Sequence, residues 1–199
     1  MKLRSKSRLI IQTKPLLNKK GIIGLSILVV AIISCYLFFS GGHIERAKAA
    51  SVANSKDEYT GSWMNSASWE GNKIPAPSDE LVINGKITRN GSLAINDGGS
   101  LTISTGDTLI IMGNLQLGSE SAMKVMTNGV LIVKGNYKSM SSSKDEVQAG
   151  GAIQVSGILS FIGVEANLVV EPGATFSYDS QINPSVAKNI TGGGTIVSF

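Results

Sequence analysis

Three carboxylates recur at nearly the same phase of a repeating pattern in this chain, and their spacing could support chemistry. Asp97, Glu120 and Glu165 each lie in the turn that directly follows a short apolar triplet. If a repeating fold brings those turns to one edge, the carboxylates could act as a general acid and base or bind Ca²⁺ weakly through their oxygens. No arginine clamp or long substrate-framing loop accompanies them. We therefore expect a solvated acidic edge without catalytic residues, in which the three carboxylates are only weak metal candidates.

Other catalytic and metal-binding groups are scarce in the sequence. His43 is the only histidine and Cys35 the only cysteine among 199 residues. A Ser-His-Asp triad in the folded domain, a multi-histidine metal site and an internal disulfide are therefore excluded. Gly192-Gly193-Gly194 separates short strand-like segments and opens no helix, so it predicts a turn and not a nucleotide-binding loop. The sequence thus predicts a protein that is not an enzyme and has no cofactor.

The net charge of +4 is unevenly distributed along the chain. Seven positive residues and no acid precede residue 21, whereas residues 50–199 hold 9 Lys+Arg and 13 Asp+Glu, a net charge of −4. A basic cluster beside an apolar segment is typical of a signal that orients a protein in a membrane. The basic pI therefore gives no reason to expect a nucleic-acid partner.

Residues 21–39, GIIGLSILVVAIISCYLFF, contain no charged residue. As a helix they would span about 28 Å, close to the thickness of the hydrocarbon core of a bilayer. We expect residues 1–20 to remain in the cytoplasm, residues 21–39 to form a transmembrane or signal helix in the plasma membrane, and the rest to be exported. Two alternatives stay open: cleavage near Ala49 would give a secreted protein, and Cys35 could be lipidated.

Beyond residue 84 the sequence is periodic, with a repeat of about 22 residues. Triplets with apolar ends follow one another so that every third triplet returns to the same phase. This register predicts further inward positions at Tyr137, Ile153 and Leu159. Turn-forming residues that tolerate left-handed backbone share the period. The triplets begin at Leu93, Leu101, Leu109, Leu115, Met123 and Leu131, and the turn-forming columns are Gly91, Gly113, Gly135, Gly157 and Gly106, Asn128, Gly150, Pro172.

Two residue classes that share one period at different phases are typical of a β-solenoid. We predict an all-β, single-stranded, parallel right-handed β-helix with three short strands per turn and about five turns, in which the first and third residues of each triplet face inward. Residues 40–60 would form a linker, 61–83 a tryptophan-containing cap and 84–199 the solenoid. The polar residues near 145–147 predict an irregular strand, either a contact loop or a tolerated soft spot, and beyond Leu168 the columns slip by one residue.

The two ends of such a coil have different sequences. Trp63 and Trp69 precede the first predicted turn, where we expect them to cap the apolar end; the alternative is an aromatic platform for sugar rings, which would need both rings exposed. No equivalent cap is recognisable at the C-terminal end. An open end exposes unpaired backbone groups, so we expect that end to be where another copy of the chain could stack.

The opening segment GSWMNSASWEGNKIPAPSDELVING, followed by GSLAINDGGSLTISTGDTLIIMGNLQLG, resembles the β-helical modules of bacterial secreted surface proteins. Trp69, Gly71, Pro75, Asp79 and the pair Val82-Ile83 match the opening of those modules, and the likeness covers residues 61–180. The matching motifs are structural. The resemblance therefore implies a β-helix from an adhesin-like protein and implies no activity.

Together these patterns predict a non-enzymatic bacterial envelope protein, tethered by residues 21–39, with a structural or adhesive role. Its partners would be the membrane and an envelope polysaccharide or surface protein. One alternative is a carbohydrate-binding or polysaccharide-lyase-like module. Another is a β-helix that stacks end to end through its C-terminal face.

Overall fold

The computed structural model describes residues 51–76, 78–179 and 184–199. The predicted cytoplasmic segment 1–20, the predicted membrane helix 21–39, Cys35 and Ala49 lie outside these residues, so those predictions stay untested. Within the described ranges, no helix combines the length and the apolar character that crossing a bilayer requires.

The described chain is a parallel β-solenoid of about six turns, whose strands form three sheets. Sheet A contains seven strands in the order β1-β3-β6-β9-β12-β15-β17, namely β1 (Val52–Asn54), β3 (Glu80–Ile83), β6 (Ser100–Ile103), β9 (Ala122–Val125), β12 (Lys144–Val147), β15 (Asn167–Val170) and β17 (Ile190–Thr191). Sheet B contains seven in the order β2-β4-β7-β10-β13-β16-β18, namely β2 (Tyr59–Ser62), β4 (Gly85–Arg89), β7 (Thr108–Ile111), β10 (Val130–Val133), β13 (Ala152–Val155), β16 (Thr175–Tyr178) and β18 (Thr195–Ser198). Sheet C contains four in the order β5-β8-β11-β14, namely β5 (Leu93–Ile95), β8 (Leu115–Leu117), β11 (Tyr137–Ser139) and β14 (Leu159–Phe161).

Within residues 51–76, 78–179 and 184–199, helical segments are short and lie only in connections. Two 3₁₀ turns, η1 (Ser66–Ser68) and η2 (Glu70–Asn72), lie between β2 and β3, and α1 (Pro184–Ala187) lies between β16 and β17. In the first turn, the connection that contains Trp63 and Trp69 thus lies where each of the next four turns has a strand of sheet C.

The strand register confirms the predicted period. In sheet C, Leu93 pairs with Leu115, Leu115 with Tyr137, and Tyr137 with Leu159, so each step from one turn to the next equals one period of the sequence. A slip of one residue is also present, but it lies before Leu168 and not beyond it: Tyr137 still pairs with Leu159 in register, whereas the step from Asp145 to Leu168 is one position longer than the period. The hand of the coil, predicted to be right-handed, is not determined by strand pairing and stays a prediction.

Inward residues of successive turns stack into aliphatic ladders inside the coil. Alternating side chains along each strand point to opposite faces, and the inward set is fully buried. Each buried aliphatic side chain contributes roughly 1.5–3 kcal/mol relative to exposure. The inward column of sheet B shows the pattern clearly: Ile87, Leu109, Leu131, Ile153 and Phe176 are all 0% exposed.

The two columns of turn-forming residues have different physical causes. Gly106, Asn128 and Gly150 have φ angles of 81°, 58° and 78°, so these three positions need residues that tolerate left-handed backbone, as predicted. The fourth predicted position, Pro172, is wrong, because the one-residue slip moves the left-handed position to Gly173 (φ 85°). In the other column Gly91 alone has a positive φ. A Cβ at Gly113 would lie 2.6 Å from the backbone nitrogen of Ser92 in the preceding turn. There the glycines permit close approach between turns, which the prediction based on left-handed backbone missed.

An asparagine ladder joins the same corner of successive turns. The backbone N–H of Asn114 donates to the Ser92 hydroxyl (3.0 Å), that of Asn136 to Asn114 Oδ1 (2.8 Å), and that of Ile158 to Asn136 Oδ1 (2.9 Å). Each side chain in the ladder therefore satisfies a backbone donor of the next turn.

Two predictions about order along the coil were wrong. The polar segment expected to be irregular forms the regular strand β12, which pairs in parallel with β9 and β15. The sheets also begin earlier than residue 84, because β1 lies in the predicted linker and β2 crosses from the predicted linker into the predicted cap. Val52 of β1 pairs with Glu80, and Tyr59 of β2 pairs with Gly85. Both steps are longer than the period of the later turns, which hides these strands from a search for the regular spacing.

Candidate functional site

The three candidate carboxylates lie at the corner after sheet C but do not form a cluster. Glu120 (φ 57°) and Glu165 (φ 59°) occupy equivalent left-handed positions, with Ser142 (φ 58°) in the turn between them. Two turns separate the glutamates by about 10 Å along the coil. Asp97 accepts a hydrogen bond from the backbone N–H of Ser119 (2.8 Å). All three are exposed, and the part of the chain that the structure describes contains no group of three or more His, Cys, Asp or Glu residues able to hold a metal.

Trp63 and Trp69 form a buried aromatic pair. They are 3% and 0% exposed, and their ring centroids are 4.7 Å apart in an edge-to-face arrangement. The indole N–H of Trp69 donates to the backbone oxygen of Trp63 (2.8 Å), and the Arg89 guanidinium lies 5.1 Å from the centroid of the Trp63 ring. These rings therefore do not form an exposed platform for sugar rings. Their packing against the core is that expected of a cap at the first turn.

A buried polar cluster lies inside the coil at β11 and β12, and sequence reasoning missed it. Asp145 is 1% exposed and occupies the inward column of sheet A that holds Met123 in the preceding turn. The Tyr137 hydroxyl donates to Asp145 Oδ2 (2.7 Å), and the Ser139 hydroxyl donates to the same oxygen (2.8 Å). The hydroxyls of Ser139 and Ser143 bond to each other. Asp145 Oδ1 is buried without a hydrogen-bond partner among the described residues.

The electrostatics of this cluster follow from its burial. Desolvation raises the pKa of Asp145 to about 6, although the hydrogen bonds from Tyr137 and Ser139 oppose the shift. Burial, together with the neighbouring carboxylate, raises the pKa of Tyr137 well above its ordinary value, so this phenol remains a donor. Tyr137, Ser139 and Ser143 are 0% exposed. Because the cluster is enclosed, it acts on the stability of the coil and is not accessible to a substrate.

The cluster could have been found from the phase of the repeat. Ser139 and Asp145 stand at positions where other turns place Leu117 and Met123. Polar residues in inward columns need partners inside the coil. The composition of the segment obscured this signal, because its serines and charges were interpreted as a loop.

A groove runs along the outer face of sheet C. Its first part, with a volume of about 350 Å³, lies between the tryptophan-containing connection and β5 and is lined by Trp63, Pro75, Arg89 and Ser92. Its second part continues across β8, β11 and β14 and is lined by Asn136, Lys138 and Ser160. The two parts share Asn114 and Gln116. We call this continuous surface the sheet C groove.

These features define the chain as a parallel β-solenoid with an aromatic pair at its first turn and a polar cluster in its core. No protein family model, curated protein or solved structure matches the chain.

Proposed function

We propose that the chain is a non-enzymatic bacterial envelope protein that holds a right-handed β-helix outside the plasma membrane, with a structural or adhesive role. Residues 21–39 would tether it, with residues 1–20 in the cytoplasm. The observation that carries the proposal is the continuous parallel pairing from β1 to β18, which supports a rigid rod of about 29 Å along its axis. Rigid rods with regular lateral faces suit repeated contacts with a wall polymer or a surface protein. The resemblance to adhesin-like modules points the same way.

Fractionation of cells that express the full-length chain tests this proposal. We expect the protein in the membrane fraction, with Met1 retained and with residues 51–199 digested by protease added to spheroplasts. A mature N-terminus near residue 50 would show that the chain is cleaved and secreted. A lipid on Cys35 would show that a lipid, and not a membrane helix, anchors the protein. In both cases the domain would still be exported. A soluble chain protected from the external protease would contradict the proposal.

A second candidate function is self-association through the C-terminal end of the coil. Ile196 pairs with Phe176 and therefore continues an inward column, yet it is 44% exposed because no described turn covers it. Val197 and Phe199 are 42% and 56% exposed. Among the described strands, β18 pairs only with β16. Such an apolar edge with unpaired backbone groups favours stacking of a second copy.

Ile196→Lys should therefore weaken self-association at least about tenfold, because the lysine would place a charge in the contact. Light scattering of the full-length chain in mild detergent over a range of concentrations would measure this. Met112→Lys is the matched control, since Met112 is 52% exposed on a lateral corner of the coil. A wild-type chain that stays monomeric at every concentration would remove this candidate.

A further inference from the structure

The sheet C groove has a chemistry that the proposed structural role does not use. We propose that it binds an acidic polysaccharide, with the sugar chain extended along the axis of the solenoid. This inference deepens the adhesive part of the proposed function and rests on it, because only an exported domain would meet such a polymer.

The geometry suits a linear ligand. Strands β5, β8, β11 and β14 are hydrogen-bonded neighbours, so the outer face of sheet C extends about 14 Å along the axis. The first part of the groove extends this surface toward Trp63, and its volume of about 350 Å³ falls within the range of small-molecule sites. A groove that crosses several turns can contact several sugar units in succession.

The charge of the groove is opposite to that of the domain. Its lining includes the cations Arg89 and Lys138 and no carboxylate, although residues 50–199 carry a net charge of −4. The ion pair between Lys124 and Glu146 lies elsewhere on the surface, and within the described part of the chain neither cation of the groove forms such a pair. Arg89 and Lys138 lie about two turns apart, or about 10 Å along the axis. Two such cations complement a polyanion with regularly spaced carboxylates.

The contacts of Arg89 fix its side chain in a position that can bind a carboxylate. Its Nε donates to the backbone oxygen of Ser92 (2.7 Å), and its guanidinium is fixed over the Trp63 ring. Partial burial lowers the pKa of the Arg89 guanidinium from its ordinary value, because desolvation disfavours a cation. A carboxylate partner would offset that cost, and the planar fork of an arginine can bind both carboxylate oxygens.

The polar residues of the remaining lining suit sugar hydroxyls, and they lie beside apolar residues such as Ala94 and Ile158. The Oδ1 atoms of Asn114 and Asn136 accept backbone hydrogen bonds from the next turn, which fixes both side chains and leaves their NH₂ groups as donors. Gln116 and Ser160 add donors and acceptors. The outer face favours a polysaccharide over an acidic peptide, because β8 and β11 are paired on both sides and offer no free edge for strand addition.

Binding of an oligouronate to the full-length chain in mild detergent tests the inference. We expect calorimetry to detect binding that weakens as salt is raised from 50 to 200 mM, as screening of the charges requires. Arg89→Gln should weaken binding about tenfold or more, and Lys138→Gln about threefold or more. Lys86→Gln is the matched control, because it removes an exposed cation from the outer face of sheet B, and it should change affinity less than about twofold. Circular dichroism should give unchanged spectra for all three variants.

Two further probes make the result decisive. A carboxyl-reduced, neutral form of the same oligosaccharide should bind at least about tenfold more weakly, and so should poly-glutamate, which has the charge without the hydroxyls. Equal binding of either probe, no binding of the oligouronate, or an equal effect of Lys86→Gln would overturn the inference. A chain that fails to bind but remains exposed in the membrane fraction leaves the envelope function standing. A cytosolic chain removes that function, whatever the groove binds.

Discussion

Wild-type protein should become less stable as the pH rises from 4 to 7.5, and Asp145→Asn should remove much of that dependence. The folded-state pKa of Asp145 is about 6 against an ordinary value of 3.8, so the folded state binds the proton more tightly than the unfolded state does. Stability from this group is therefore complete below pH 3.8, is lost as the pH rises to about 6, and stays lost above it. The shift corresponds to about 3 kcal/mol.

Urea unfolding at several pH values, followed by circular dichroism, measures this effect. Asparagine is close in shape and stays neutral, so Asp145→Asn should match the wild type near pH 4 and exceed it by up to about 3 kcal/mol at pH 7.5. Glu146→Gln is the control on the same strand, because Glu146 faces outward in an exposed ion pair with Lys124 (3.2 Å) and should matter by less than about 1 kcal/mol. Parallel pH curves for wild type and Asp145→Asn would show that the buried carboxyl does not titrate in this range.

Trp69→Ala should destabilise the solenoid by about 3–5 kcal/mol, the usual cost of truncating a fully buried tryptophan. Trp69 is 0% exposed, packs edge-to-face against Trp63 and donates a hydrogen bond to the backbone of that residue. The truncation would leave a cavity at the first turn and remove one hydrogen bond. For a domain of this size the midpoint of thermal unfolding should fall by roughly 10 °C.

Differential scanning calorimetry of Trp69→Ala beside Met64→Ala separates capping from a general effect of truncation in this segment. Met64 lies in the same connection but is 58% exposed, so its truncation should change stability by no more than about 0.5 kcal/mol. If the two variants melted together within about 2 °C of the wild type, the tryptophan pair would have no role in holding the first turn.

The architecture could be predicted because its signal is local and periodic. Leu93, Leu115 and Leu159 stand in one column of both the sequence pattern and sheet C, since each turn repeats the same steps. The first turn was missed because its steps, from β1 to β3 and from β2 to β4, are longer than the period. A prediction from spacing reaches only as far as the spacing is regular.

The polar core could have been predicted in part, and the groove could not. Asp145 stands in an inward column, so its phase was available, but composition suggested a loop. The hydrogen bond between Tyr137 and Asp145 crosses from sheet C to sheet A and depends on how the sheets face each other inside the coil. Arg89 and Lys138 share no motif in the sequence. Only the stacking of turns brings them to one surface, at which point their common charge becomes visible.

The asparagine ladder makes the contact between one middle turn of the rod and the next the same at each step. Each rung needs only a side-chain oxygen below and a backbone amide above, and Asn114 and Asn136 provide both. Inserting or deleting one whole repeat there would keep the side-chain oxygen and the backbone amide that each rung needs, whereas the tryptophan pair and the exposed last described strand are each present once. Length is thus a property that evolution or an engineer could change by whole turns, and with it the number of sugar units the outer face could span.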